Sequence, residues 1–169
     1  MRDVWPEQPS SFGADALEWW RVFNGLLPGG AWSFIKCEGK RPIEPWPAPQ
    51  RDVRAHVNTL RGWRGNIGYP CGPQPAGWCL VVVDVDPRAG GDESLITLRA
   101  EGLTIETVTV ITGGEQQGQH LWFAHPDALI KASLPKYPGV DFIADRGMVI
   151  VPPSVTTHRY DFEYGWSLA

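Results

Sequence analysis

The stretch "WCLVVVDVDP", from Trp78 to Pro87, is the sequence feature that most constrains how this chain can fold. Five consecutive apolar residues are followed by Asp84, Val85 and Asp86. The apolar run predicts a buried strand. Residues two apart on a strand point to the same side, so the two carboxylates share one face. Such carboxylates repel one another unless a cation lies between them or one is protonated.

A hard divalent cation such as Mg²⁺ or Mn²⁺ is the simplest explanation for this pair of acids, because such ions prefer oxygen ligands. Two structural alternatives stay open: Asp86-Pro87 begins an ordinary turn, and Asp84 caps the following segment. A calcium-binding loop is excluded, because Arg88 and Ala89 stand where that loop needs an oxygen ligand and a glycine.

Length and composition predict one domain, or two closely packed subdomains, with many turns. The chain has 169 residues, of which sixteen are proline and nineteen glycine. Its three cysteines lack close metal-ligand spacing and indicate reduced thiols in a cytoplasmic protein, although a zinc site assembled from distant residues stays open. No apolar run approaches the roughly 18 residues of a membrane span, so no membrane partner is expected.

The charge of the chain is unevenly distributed. The net charge is -4, yet residues 36–64 contain seven basic and three acidic residues, a local net charge of +4. This asymmetry predicts a polyanion-binding face beside an acidic centre, and a solvated basic loop region is the alternative. The arginines in this segment that we consider as nucleic-acid contacts are Arg41, Arg51, Arg54, Arg61 and Arg64.

Hydrophobic periodicity predicts an α+β protein with a mostly antiparallel sheet and one helix crossing its face. Helices are predicted within residues 14–30, 51–63 and 90–103, and residues 36–50 form a Pro-rich connector without regular structure. The predicted strands are 31–35, 66–70, 78–86, 107–114, 119–125, 140–145, 147–154 and 158–166. Residues 140–145 and 147–154 are predicted to pair as a hairpin that turns at Asp145-Arg146-Gly147.

The segment "ITGGEQQGQHLWF" combines a glycine-rich loop with a histidine at the start of the next strand. Gly113, Gly114 and Gly118 free the backbone to turn tightly before His120. Exposed loop N–H groups beside a histidine predict a phosphate cradle, and a glycine-rich hairpin with a surface histidine is the alternative. The segment is not a P-loop, since no Gly-Lys-Ser/Thr follows.

The segment "GVDFIADRGMVIVPPS" places Asp141 at the start of an apolar strand. If this strand is an antiparallel neighbour of the first acidic strand, Asp141 lies beside Asp84 and Asp86. Arg146, in the predicted turn, offers forked donors to a phosphate. Asp145 supports the turn through its own backbone.

Together these segments resemble the archaeo-eukaryotic primase superfamily, and within it the bifunctional DNA primase/polymerase (PrimPol) domains of phages, plasmids and other mobile elements. The three motifs of that family match as Asp84/Asp86, Gly118-Gln119-His120 and Asp141. The likeness extends over about residues 30–166 and includes "GKRP", "NIGYPCG" and "VPPS". One departure is Gly118, which stands where the family commonly has serine or another small polar residue.

The resemblance implies a single primase-polymerase domain over residues 1–169. An N-terminal α/β module, about 1–75, packs on an RRM-like catalytic sheet, about 76–169, with the active cleft between them. Asp84, Asp86 and Asp141 are then the catalytic residues, which hold two Mg²⁺ or Mn²⁺ ions for template-directed nucleotidyl transfer. The residues that the resemblance assigns to dNTP or NTP binding are His120, Gly118, Gln119, Arg146 and Lys40.

The resemblance also implies partners and a location. A single-stranded DNA template or a primer-template is expected, together with a replicative helicase, fused or in trans, in the cytoplasm of a bacterial or archaeal host. Two other functions stay open. One is a non-catalytic module that binds single-stranded nucleic acid or nucleotide. The other is a metal-dependent nuclease or nucleotide hydrolase, since three carboxylates and two metal ions serve hydrolysis equally well.

Overall fold

The computed structural model describes residues 16–27, 29, 34–45, 53–103, 105–127 and 132–163. These residues form antiparallel sheets with few helices, which confirms the predicted α+β class. The helices are α1 (Ala16–Leu26), α2 (Val53–Leu60) and α3 (Gly91–Ala100), with a 3₁₀ turn at Pro87–Ala89. The strands are β1 (Ile35–Glu38), β2 (Arg41–Pro42), β3 (Asn66–Pro70), β4 (Gly72–Pro73), β5 (Cys79–Val85), β6 (Val108–Ile111), β7 (Gln119–His125), β8 (Ala132–Ser133), β9 (Val140–Ile143), β10 (Met148–Ile150) and β11 (Asp161–Glu163). In the described ranges no helix is long and apolar enough to cross a membrane.

The first sheet has the strand order β10-β3-β1-β2. Strands β1 and β2 form a hairpin within the segment that the sequence predicted to be irregular, so that prediction is wrong for residues 36–42. Gly39 supplies the positive φ, 57°, that the turn requires. Pro42 is tolerated because β2 is an edge strand, where a missing N–H donor leaves no ladder bond unmade.

The second sheet is built around β5, in the order β11-β6-β7-β5-β9-β8, and β4 pairs with the beginning of β5. Alternate residues of β5 enter two different cores. Leu80 and Val82 join the large core, whereas Val83 and Val85 join a smaller core together with Leu95 of α3. All five apolar residues of the sequence run, Cys79 to Val83, are buried, as predicted.

The large core lies between the two sheets and against helix α1. Phe23 of α1 is fully buried and contacts rings from both sheets. It stacks on Tyr69 of β3 at 5.7 Å between ring centroids, and its ring meets Phe162 of β11 edge-on at 5.4 Å. One continuous apolar cluster thus joins the sheets, and this holds them in a defined relation to each other.

The predicted hairpin of residues 140–145 and 147–154 is wrong. The chain does turn here, with Gly147 N–H donating to Ala144 O at 2.8 Å. Strand β9, however, pairs with β5 and β8 of the second sheet, and β10 pairs with β3 of the first. Val149 and Ile150 of β10 are buried in the core between the sheets, and this burial favours pairing across to β3 over local pairing with β9.

Candidate active site

The register of three neighbouring strands brings two acids and a histidine to one place. Asp84 of β5 is the direct partner of His120 on β7 and of Asp141 on β9. Residues directly opposite one another in antiparallel strands project from the same face of the sheet. The predicted antiparallel pairing of the two acidic strands is therefore observed. It places Asp84, His120 and Asp141 side by side on the face that also packs against the first sheet.

Asp86 lies one residue beyond β5, and its backbone is held at three points. Its N–H donates to Gly139 O at 2.8 Å, and its carbonyl accepts from Ala89 N at 3.1 Å and from Gly91 N at 2.9 Å. The residue stays extended, with φ -101° and ψ 106°, so its side chain continues on the face of Asp84. Hydrogen bonds from both flanking segments thus hold the backbone that carries the second carboxylate.

Two glycines make this close packing around Asp86 feasible. A Cβ atom at Gly91 would lie 2.7 Å from the Asp86 carbonyl oxygen. A Cβ atom at Gly139 would lie at the same distance from that oxygen, and Gly139 also has a φ of +73°. A larger residue at either position would displace the backbone that carries the second carboxylate.

Arg88 binds the Asp86 carboxylate through two donors on one edge of its guanidinium. Nε donates to Oδ1 at 3.0 Å and Nη2 to Oδ2 at 2.7 Å, while the Arg88 backbone N–H also donates to Oδ1 at 3.0 Å. These contacts lower the pKa of Asp86 below its usual value. Sequence reasoning did not select Arg88 as a site residue. The signal was its spacing of two from Asp86 across a proline turn, where the side chain can reach back.

His120 is buried at the base of the site and is neutral. Burial, aided by the charge of Lys40, lowers its pKa to about 3. Its Nε2 atom lies 3.5 Å from Asp84 Oδ1, and with a neutral ring this contact is a long polar interaction rather than an ion pair. Nδ1 of His120 has no hydrogen-bond partner among the described residues. The imidazole therefore has polar capacity that the described part of the protein does not use.

Hydrogen bonds join the two ends of the glycine-rich loop and tie the loop to residues 156–158. Thr112 N–H donates to Gly118 O at 2.9 Å. The Gly113 carbonyl accepts from the Thr156 hydroxyl at 2.6 Å and from the backbone N–H groups of residues 157 and 158. A Cβ atom at Gly118 would collide with the carbonyl oxygen of Val85. Glycine is therefore needed at this position because the loop passes against the end of β5.

The first sheet contributes Lys40 to the site through the β1–β2 turn. The Asn66 side-chain amide donates to Gly39 O at 2.9 Å, and its carbonyl accepts from Val155 N–H, also at 2.9 Å. The turn is thereby tied to the segment that supports the glycine-rich loop. An open pocket lies where these elements meet. Its lining residues are Lys40, Asp84, Val85, Asp86, Arg88, Thr112, Gly114, Gln116, Gly118 and His120.

Three predicted site residues do not line the pocket. Asp141 is half-buried beside Asp84 in register. Gln119 pairs with Val85 and, as the strand neighbour of His120, belongs to the opposite face of the sheet. Arg146 lies in the turn after β9, away from the end of the strand that carries Asp141, with its guanidinium 4.0 Å from Asp145.

The predicted nucleic-acid contacts are only partly described. Arg41 is exposed in β2, directly after Lys40, and Arg61 and Arg64 are exposed after helix α2. Arg51 lies outside the described residues, and Arg54 is described only as a position in α2. The exposed arginines thus belong to the first sheet and to the segment that leads into its strand β3.

The carboxylate oxygens of the pocket are ligands that suit a hard cation, although the Asp86 carboxylate is bound to Arg88 in this structure. Among the residues that the structure describes, no three His, Cys, Asp or Glu side chains converge closely enough to hold a metal ion. The physical reason lies partly in Asp86, whose carboxylate is turned onto the Arg88 guanidinium. Carboxylates of three residues nevertheless lie at the same end of the β5–β9 pair, and these are the ligands that Mg²⁺ and Mn²⁺ prefer.

Comparison with protein families assigns the chain. A family model described as bifunctional DNA primase/polymerase, N-terminal, matches residues 14–167. The protein therefore belongs to this family, which confirms the resemblance seen in its sequence motifs. Comparisons with curated proteins and with solved structures yield no match. The family match spans both sheets and all the residues of the pocket.

Proposed function

We propose that this protein catalyses template-directed nucleotidyl transfer as a DNA primase/polymerase. Membership of the bifunctional primase/polymerase family supports an activity of this class. The observation that carries the proposal is the register that places Asp84 opposite both His120 and Asp141, beside a pocket that also contains Lys40. Carboxylates can hold the divalent ions of nucleotidyl transfer, and a histidine and a lysine can contact the phosphates.

Asp84, Asp86 and Asp141 would hold two divalent ions, Mg²⁺ or Mn²⁺. Bound there, such ions activate a 3′-hydroxyl and neutralise the leaving pyrophosphate. Asp84 and Asp141 already share one face of the sheet, and Asp86 reaches the same pocket from a backbone held by three hydrogen bonds. The fit requires the Asp86 carboxylate, which is 34% exposed, to turn away from the guanidinium and the backbone N–H of Arg88.

The groups that would bind the nucleotide lie around these acids. Neutral His120 offers a ring nitrogen to a phosphate, Lys40 offers a positive charge from the first sheet, and Gly118 allows the loop to pass close to β5. A neutral imidazole can donate one hydrogen bond without adding a second fixed charge next to Asp84. Gln119 and Arg146 stay predicted contacts that the pocket does not include.

The order of the second sheet supports an RRM-like catalytic subdomain. Its chain path β5-α3-β6-β7-β9 gives the spatial order β6-β7-β5-β9, with α3 against one face and the first sheet against the other. We propose that residues from about 76 form this catalytic part and that the N-terminal module, about 1–75, covers its cleft. Strand β10 then ties the two parts together by joining the first sheet.

Single-stranded DNA would approach along the first sheet. Exposed Arg41, Arg61 and Arg64 supply positive charge there, which binds phosphates without regard to sequence. A primer-template, a replicative helicase, and a cytoplasmic location in the host of a mobile element stay parts of this proposal.

The decisive experiment is nucleotide incorporation on defined templates. The purified protein is incubated with primed and unprimed single-stranded DNA, labelled dNTPs or NTPs, and Mg²⁺ or Mn²⁺, in parallel with Asp84→Asn. We expect extension that is lost by at least about a hundredfold in the variant, the scale on which removal of an electrostatic catalytic group acts. Products on the unprimed template would add priming to this activity.

Two results would contradict the proposal. Degradation of the DNA or nucleotide without extension would indicate a metal-dependent hydrolase. Binding of single-stranded DNA with no incorporation on any template, in the presence of either ion, would indicate a non-catalytic binding module. The control Asp127→Asn changes an exposed acid outside the pocket and should extend primers at the wild-type rate.

A further inference from the structure

The pocket contains an arginine that the proposed catalytic mechanism does not use. Arg88 lines the same pocket as Lys40 and lies near Asp84, yet its Nε and Nη2 donors are both bound to Asp86. A forked, two-point contact of this kind is the geometry with which arginine also binds phosphate oxygens. Arg88 therefore presents to Asp86 the same donors that it would present to a nucleotide.

The structure distinguishes what is fixed in this pair from what can move. The Asp86 backbone is held by hydrogen bonds to Gly139, Ala89 and Gly91, and two of these are glycines at which a side chain would clash. The Arg88 side chain, in contrast, is 61% exposed, and that of Asp86 is 34% exposed. The two side chains can separate by rotation while the backbone stays in place.

The charges favour such a separation when a nucleotide arrives with its cation. In the pair, the guanidinium compensates the Asp86 carboxylate beside two further acids, Asp84 and Asp141. A divalent ion accompanying the nucleotide would compensate the same carboxylate, and the triphosphate would compensate the guanidinium. Each charge keeps an opposite partner throughout, so the exchange leaves no buried or clustered charge unpaired.

We propose that Arg88 is a nucleotide phosphate-binding residue that holds Asp86 until the metal–nucleotide complex enters the pocket. Before entry, the ion pair of Asp86 and Arg88 competes with divalent ions for the carboxylate. After entry, Arg88 binds the phosphates and Asp86 becomes available as a metal ligand. This inference rests on the proposed nucleotidyl-transfer site, and it assigns to that site an order of binding and a further substrate contact.

Two binding measurements with Arg88→Ala test the exchange. The first is calorimetric titration with Mn²⁺ alone. Loss of a competing exposed ion pair should tighten Mn²⁺ binding by about two- to fivefold. The second is titration with dATP in Ca²⁺, which supports binding without turnover. Loss of a forked, charge-assisted contact should weaken nucleotide binding by about tenfold or more.

Matched variants separate this role from a structural one. Arg99→Ala removes an exposed arginine of α3 outside the pocket and should change neither affinity. Arg88→Lys keeps the charge without the fork, so its dATP affinity should lie between those of wild type and Arg88→Ala. In an Asp86→Asn background, Arg88→Ala should no longer tighten Mn²⁺ binding, because the competition is already absent.

The opposite signs of the two effects exclude a purely structural role, and the Asp86→Asn background separates competition for the carboxylate from the general effect of removing a positive charge. A purely structural Arg88 would weaken both ligands together, and unchanged dATP affinity or unchanged Mn²⁺ affinity would each overturn the exchange. The test does not depend on incorporation. If wild-type protein extends primers but shows no opposed shifts, the exchange is wrong and the enzymatic proposal stands. If the opposed shifts occur without extension on any template, the exchange stands and the enzymatic proposal is wrong.

Discussion

Asp84 and Asp141 stand directly opposite one another on the neighbouring antiparallel strands β5 and β9. In this arrangement the Cβ atoms of a residue pair are about 4.5–5.5 Å apart, and like charges destabilise the sheet. The protein therefore accepts a local cost where a cation-binding site is proposed. Such a conflict between stability and side-chain chemistry is expected at functional positions.

The cross-strand pair of acids predicts that removing one charge stabilises the metal-free protein. We expect Asp141→Asn to raise the free energy of unfolding in EDTA by about 0.5 kcal/mol, because it removes repulsion from Asp84. In Mg²⁺ the gain should shrink or reverse, since wild type then gains from ion binding. Urea unfolding with and without Mg²⁺ measures both values. Asp127→Asn is the control, and a loss of stability in EDTA for Asp141→Asn alone would contradict the expectation.

The close passage of the glycine-rich loop against β5 predicts different responses at two glycines of the same loop. A methyl group at Gly118 would collide with Val85 O, whereas one at Gly114 would meet nothing within 4 Å. We expect Gly118→Ala to lower the free energy of unfolding by about 1–3 kcal/mol, the usual cost of overpacking. Gly114→Ala should stay within about 0.5 kcal/mol of wild type. Equal effects in chemical denaturation would show that the loop does not pack here as described.

The ring cluster between the sheets predicts that Phe23 is a main determinant of stability. Phe23 is fully buried against rings of both sheets, and Leu17 in the same helix is 44% exposed. We expect Phe23→Ala to cost about 3–5 kcal/mol and Leu17→Ala less than about 1 kcal/mol. Thermal and urea unfolding measure the difference. A small effect of Phe23→Ala would mean that the two sheets are not held together through helix α1.

A buried histidine of helix α2 predicts a loss of stability at mildly acidic pH. His56 Nε2 accepts the Phe34 N–H at 2.9 Å, and burial is the main cause that lowers the pKa of His56, with Glu44 and Lys36 acting in opposite directions. The folded state favours the neutral ring. The contribution of His56 to the free energy of unfolding is therefore complete above the ordinary histidine pKa of about 6.5, and it is lost as the pH falls below that value.

The His56 prediction is checked by urea unfolding at pH 8 and pH 5 for wild type and His56→Gln. Glutamine can accept the same hydrogen bond but does not titrate in this range. Wild type should lose more stability than the variant between the two pH values. An identical pH dependence in the two proteins would show that His56 is not responsible.

Local patterns in the sequence were sufficient for much of the fold. The acidic strand, its neighbours and the three helices were predicted from apolar periodicity and from turn residues, and the structure contains them within a few residues. The antiparallel approach of Asp141 to Asp84 was also predicted, because each acid stands at an end of an apolar strand. Family membership was recognisable from the same motifs.

Two features escaped this reasoning because non-local contacts decide them. The β1–β2 hairpin forms in a proline-rich segment since β3 supplies the partner for β1. Strand β10 pairs with β3 of the first sheet instead of with the neighbouring β9, because Val149 and Ile150 are buried there between the sheets. Neither partner set is adjacent in sequence.

The sequence by itself thus determined which residues form strands and helices and which acids end a buried strand, because these properties depend on neighbours within a few positions. The tertiary structure alone decided that β10 leaves β9 to join the first sheet and that Lys40 reaches the pocket of Asp84 and Asp86. The physical reason is that burial of apolar residues such as Val149 between two sheets outweighs the short-range preference for a hairpin, and only the assembled core contains that surface.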